Sequence, residues 1–171
     1  AAGDRRLEGE ALVSLALAHW LTFSSEHLPY TRRFAEAALA IARETGDQRV
    51  LARSLSYLGL VDQVDGRLTD ADQKLEESLR ISEAGGFHDM VAHNHTWLGA
   101  HANWRGEFRK AIPLCLRAQE TAVQFHDGLQ ELYALAFRCL CHVSLGEYAE
   151  ALAVINEGLT KARERDNGFI L

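Results

Sequence analysis

A self-similarity at a spacing of 40 residues constrains this chain more than any other feature. Gly66, Gly106 and Gly146 stand 40 apart, and so do Ala71, Ala111 and Ala151. Leu68, Phe108 and Tyr148 form a third column, and Leu58-Gly59 recurs as Leu98-Gly99. Leu15, Leu55 and Leu135 share a register; Leu39, Leu79 and Leu159 share another. Ile41 matches Ile81, and Ala42 matches Ala122 and Ala162. Small residues match small ones in phase, which marks a repeated structural unit rather than a coincidence. The units run 7–46, 47–86, 87–126 and 127–166.

Each unit reads as two helices. In the second, Val50, Leu51, Leu55, Leu58 and Val61 follow a helical period, Asp65-Gly66-Arg67 interrupts it, and Ala71, Leu75, Leu79 and Ile81 resume it. Thr69 is the expected N-cap of the second helix, and Gly85-Gly86 is its expected stop. Asp127 followed by Gln130 has capping-box spacing. Pro29 falls in a first turn, where proline is tolerated. Pro113 lies further into its helix and predicts a kink or a late start. Gly59 and Gly99, facing Ala71 and Ala111, allow two helices to cross closely. The large residues at 68, 108 and 148 are expected to plug the space between hairpins. One hairpin cannot bury both its faces alone, but a stack can. The expected core includes Leu55, Leu58, Leu75, Leu79, Leu98, Ala111 and Ala151.

Composition agrees with this. The 171 residues are 47% apolar and 25% charged, with only 2 Pro, which excludes wholesale disorder and collagen-like sequence. A net charge of −6 repels phosphate backbones, so nucleic acid is not an expected ligand. No apolar run approaches the length of a membrane span. Cys115, Cys139 and Cys141 form no disulfide framework and read as reduced thiols of a cytoplasmic protein.

Catalytic chemistry is not visible. The histidines at 88, 93, 95 and 101 invite a metal reading, but no two of them have the i,i+3 or i,i+4 spacing that a helical site needs. There is no phosphate-binding glycine loop and no nucleophile motif. The chain is therefore expected to be no enzyme and to carry neither cofactor nor metal.

The columns resemble the tetratricopeptide repeat. Unit 2 supplies Leu55, Leu58-Gly59, Gly66-x-Leu68, Ala71, Leu75 and Ser78. Unit 3 supplies Leu98-Gly99, Gly106-x-Phe108, Ala111, Cys115 and Ala118. Unit 4 supplies Leu135, Cys139, Gly146-x-Tyr148, Ala151, Ile155 and Gly158. Unit 1 is degenerate, with His19, Glu26 and Thr31 at the family's Gly, Gly and Ala positions. Asp62, Ala102 and His142 replace the family's central Tyr. The 40-residue repeat is longer than the family's usual one and is similar to repeats of large bacterial signalling and transcription regulators. The resemblance implies an all-α fold, a right-handed α-α superhelix (solenoid) of about four hairpins, forming a single domain over 1–171.

The resemblance also implies a binding groove lined by the first helix of each hairpin. By register it takes Val13, Ala16, Trp20 and Phe23 from unit 1, and Arg53, Ser56, Leu60 and Gln63 from unit 2. Unit 3 adds His93, Thr96, Ala100, Asn103 and Trp104, and unit 4 adds Tyr133, Ala136, Leu140 and Val143. Of these, Arg53, Ser56, Gln63, His93, Thr96, Asn103, Trp104 and Tyr133 are the expected partner-binding residues. Trp, Tyr and Arg are the types that most often act as hot spots. The implied function is a protein- or peptide-binding scaffold within a larger bacterial regulator. The alternatives are a self-associating signal-relay module and a sensor of signalling peptides. Asn167-Gly168-Phe169-Ile170-Leu171 falls in the register of Asp127-Gly128-Leu129, the expected start of a truncated fifth repeat. The chain reads as a fragment that would self-associate through the exposed end of its last hairpin.

Overall fold

A computed structural model describes residues 2–22 and 24–164. The expectation for 167–171 lies outside the described residues, as does the one for Phe23. Among the described residues there are eight α-helices and no strand. They are α1 (Ala2–Trp20), α2 (Leu28–Thr45), α3 (Gln48–Val64), α4 (Leu68–Gly85), α5 (His88–Trp104), α6 (Phe108–Gln124), α7 (Gly128–Ser144) and α8 (Tyr148–Glu164). A 3-10 turn at Ser25–His27 precedes α2. The fold class is the expected one: all-α, with successive helical hairpins of the tetratricopeptide kind.

The repeat columns have a physical content in the turns. Gly66, Gly106 and Gly146 all take left-handed backbone, with φ of 79°, 77° and 74°. That region penalises a Cβ, so the column has to be glycine. Asp47 caps α3 by accepting from the amides of Arg49 and Val50, both at 3.1 Å. Asp127 caps α7 by accepting from the amide of Gln130 at 3.1 Å. Pro29 sits in the first turn of α2, and Gly86 closes α4 with φ of 68°.

Three local expectations are corrected. Thr69 is not an N-cap: α4 already begins at Leu68, and Arg67 at the cap position supplies no side-chain bond. The guanidinium of Arg67 is drawn instead to Asp62 and Asp65. Helix α6 does not start late, but begins at Phe108 and runs through Pro113. Of the residues expected as plugs, only Phe108 packs into a core, against Ala102, Ala111 and Cys141, while Leu68 and Tyr148 are exposed.

The helices form two compact bodies, residues 1–90 and 91–171, with α5 falling almost wholly in the second. In the first, α2 packs between α1 and α3, and α3 packs on α4. Its interior holds Val13, Ala35, Ile41, Val50, Leu55, Leu58 and Leu75. A Cβ on Gly59 would stand 3.1 Å from the Ala71 carbonyl and 3.1 Å from Leu75 Cγ, so the α3–α4 crossing is close. In the second body, α7 packs on α6 and α8. A Cβ on Gly99 would meet Cys115 Sγ at 2.8 Å, which makes the α5–α6 crossing tighter still. Leu98, Ala118, Ala134 and Leu135 complete that interior; Leu79, expected in the core, is only partly buried.

Small residues at fixed register keep the second helices close to their neighbours. The columns 31/71/111/151, 38/78/118/158 and 42/82/122/162 consist of Ala, Ser, Thr and Gly, and all but the half-buried Gly158 are buried.

Candidate partner-binding surface

In the first body, the exposed-face candidates on α3 are held by their own chain. Arg53 Nη1 donates to Glu10 Oε2 of α1 at 2.9 Å. Burial raises the neighbouring Tyr57 hydroxyl above its ordinary range, and the nearby Arg53 cation opposes that rise. Ser56 is fully buried, as are Ala16 and Thr96 in the same column. That column is packing surface, so Ser56 and Thr96 present nothing to a partner. Their register is one side chain removed from the surface, because the helix face turns inward there. Gln63, at the far end of α3, is half-buried.

Close by, a charged knot ties α2, α3 and α4 together. Asp62 is only 2% exposed. It accepts from Arg32 at 2.8 Å, from Arg67 at 2.6 Å and from Lys74 at 2.5 Å. Asp65 shares Arg32 and Arg67 at 2.9 and 2.8 Å. Here the departure at the family's Tyr position has a structural answer: an ionic clasp replaces an aromatic plug.

The second body brings four expected residues together. Trp97, almost buried on α5, is the hub. Its ring lies 6.1 Å from His93, 6.4 Å from Trp104, 6.5 Å from Tyr133 and 6.0 Å from Phe137. Trp104 meets Phe137 edge-on at 5.9 Å and also lies 6.0 Å from His101. Offset and edge-to-face pairs at these separations are favourable beyond their buried area. Trp104 nevertheless remains 53% exposed. Gln130 Nε2 lies 3.3 Å from His93 Nδ1, which fixes the α7 end of the cluster. Asn103 is committed: its Nδ2 donates to Cys141 Sγ at 3.1 Å. Burial raises the Cys141 thiol, and the Asn103 bond partly offsets this.

Thus His93, Trp104 and Tyr133 share one aromatic cluster, and Asn103 lies within the same body. Trp97, Phe137 and His101 were missed. The signal for two of them was in the chain: Tyr57, Trp97 and Phe137 stand 40 apart, an aromatic column beside the groove columns. Among the other groove expectations, Val13, Leu60 and Ala100 are buried, while Ala136, Leu140 and Val143 are exposed.

Such a surface can bind but carries no evident machinery for bond-making. The groups with shifted protonation are tied in ion pairs or buried as thiols. Among the described residues, no group of three or more His, Cys, Asp and Glu side chains is placed to hold a metal ion. Among them, no helix is long and apolar enough to cross a membrane. The three cysteines are free thiols.

No protein-family model matches the chain, and neither does any curated protein. Solved structures do resemble it. The crystal structure of aspartyl phosphate phosphatase F from Bacillus subtilis matches with a TM-score of 0.84 over 96% of this chain and 42% of that one, at 15% identity. The apo form of RapI matches with a TM-score of 0.79 over 94% of this chain and 57% of that one, at 17% identity. At these identities the likeness is one of fold. The chain spans about half the length of the proteins it resembles.

Proposed function

We propose that this chain is a protein- or peptide-binding module of a larger regulatory protein, and that it binds on the aromatic face of residues 91–171. The observation that carries the reading is the exposed Trp104 ring, standing on Trp97 and Phe137. An indole held by neighbouring rings loses little freedom when a partner covers it, so its burial counts fully toward affinity. His93 and Tyr133 extend this face. Arg53 and Gln63 of the first body belong to the same first-helix register and are assigned to the same role. Ser56 and Thr96 support the groove from beneath.

The module acts by binding and not by turnover, in the cytoplasm, without cofactor or nucleic acid. The fold neighbours include a protein named as a phosphatase, but its length exceeds what this chain covers. A long-repeat bacterial regulator is the parent that the register supports best. The second reading, a sensor of signalling peptides, loses its expected backbone-binding asparagine, because Asn103 is engaged by Cys141.

The test is selection of displayed peptides against the 171-residue protein, followed by binding measurements with the Trp104→Ala variant. Selected peptides should bind with micromolar Kd and lose at least about tenfold with the variant, as removal of a hot-spot residue does. Melting should barely change. Peptides that ignore Trp104 and map to the outer helices, around Arg80 or Arg117, would overturn the assignment.

A further inference from the structure

We infer that the open face of the α7–α8 hairpin is a docking groove for an amphipathic helix of a partner protein, one whose contact stripe is apolar throughout. This surface is separate from the aromatic face proposed above. It is a groove of about 360 Å³ lined by Leu132, Leu135, Leu140, Val154, Ile155 and Leu159, with Cys139 at its floor.

The repeat shows what such a face is for. Column 35/75/115/155 is fully buried at Ala35, Leu75 and Cys115, yet Ile155 is 43% exposed. Column 60/100/140 is fully buried at Leu60 and Ala100, yet Leu140 is 49% exposed. Ser56 and Thr96 are buried, whereas Ala136 is exposed. Large apolar side chains therefore stand open at positions whose counterparts are covered in the other hairpins. A contiguous patch of that kind marks an interaction surface.

The occupant follows from the established interface 40 residues earlier, where α7 itself is the helix seated on α5 and α6. Its contact stripe runs through Gln130, Tyr133, Phe137, Arg138 and Cys141, spaced as one face of a helix. Three of these contacts are polar. Gln130 meets His93, Arg138 Nη1 donates to Gln119 Oε1 at 2.6 Å, and Cys141 receives Asn103. At the matching positions of the open face stand Tyr133, Leu159 and Val143. A helix seated there in the same manner finds no acceptor for a cation and no partner for an amide. Burying such groups unpaired is costly, so the face selects a helix without them. That is helix-in-groove recognition, with anchors about one turn apart.

The probe is a synthetic peptide with the sequence of α7, residues 128–144, carrying Gln130→Leu and Arg138→Leu. It is titrated against the full 171-residue chain by fluorescence anisotropy. Saturable binding at micromolar peptide is expected, at least about tenfold tighter than for the unsubstituted peptide. Leu140→Asp and Ile155→Asp should each abolish it; both side chains are already solvent-exposed, so melting should hold. As a measurement independent of any variant, the bound peptide should slow the modification of Cys139 by a thiol reagent. Absence of saturable binding would overturn the inference, as would binding indifferent to both aspartates. A concentration-dependent dimer that the same substitutions break and the peptide competes with would assign the face to a second copy, and would overturn it too.

Discussion

The ammonium of Lys74 on α4 lies 2.5 Å from the carboxylate of Asp62 on α3, at a site otherwise closed to water. Burial pushes the Asp62 carboxyl up, but bonds from Lys74, Arg67 and Arg32 outweigh it and hold it at about 2. One carboxylate thereby joins three helices.

The first prediction follows from that depressed value. A carboxyl whose folded value is lowered adds stability above its unfolded value and loses it as pH falls through the folded one. The contribution is full above roughly pH 4 and disappears towards pH 2. Asp62→Asn should cost on the order of 2 kcal/mol at neutral pH, since charged hydrogen bonds are lost while the partly exposed cations regain water. Denaturant titrations of both proteins from pH 7 to 2 should show the gap closing. A constant gap would refute the clasp.

Gly99→Ala should destabilise the protein even though alanine is the better helix former. The added Cβ meets Cys115 Sγ at 2.8 Å inside a packed crossing. Overpacking of this kind costs about 1–3 kcal/mol, more than the roughly 1 kcal/mol gained in propensity. Adding Cys115→Ala should recover much of the loss. A double-mutant cycle reads the coupling directly, and additive effects would show that the two residues do not touch.

His126→Gly should stabilise. His126 has a φ of 58°, left-handed backbone, in the column where Gly46 and Gly86 have 70° and 68°. Relief of that conformation is worth about 1 kcal/mol, and the exposed imidazole gives up little packing. Thermal melting should rise by a few degrees, as about 1 kcal/mol does for a domain of this size. A fall in Tm would place a contact on His126 that the backbone argument omits.

The thiols should react in a fixed order. Burial pushes Cys115 up to about 12, with the Cys141 thiol adding to the rise. Cys139 is raised by burial too, but it is only partly covered. A disulfide reagent at pH 8 should modify Cys139 first in the native protein, because thiolate and access both set the rate. Cys115 should wait for unfolding. Early modification of Cys115 would contradict the packing at Gly99.

Substitution at Trp104 and Arg53 separates two kinds of surface residue. Arg53→Ala removes one partly exposed ion pair with Glu10 and should cost no more than about 1 kcal/mol. Trp104→Ala should leave melting similar and act on binding alone. A large drop in stability for either would make it a packing residue and remove it from the site.

Much of the fold was legible because the repeat writes the same physical demand several times. Glycine recurs at 66, 106 and 146 because a left-handed turn excludes a Cβ. Ala71 and Ala111 recur because Gly59 and Gly99 bring helices into near contact there. The site was only half legible. His93, Trp104 and Tyr133 fell in one register and do share a cluster. Ser56 and Thr96 fell in that register too, but are buried. A linear period cannot tell which edge of a helix face meets water and which meets the next helix.

The sequence by itself determined the helices, their pairing and the turns, because these depend on spacing and on what each residue's own backbone allows. The tertiary structure alone decided which polar residues find partners. Asp62 stands in a column where an aromatic ring was expected, and three cations from three chain positions make its burial tolerable. Trp97 and Phe137, 40 residues apart, become one surface with Trp104. Ion pairing and ring packing act over a few ångströms in space between residues distant in the chain, so only folding brings those partners within reach.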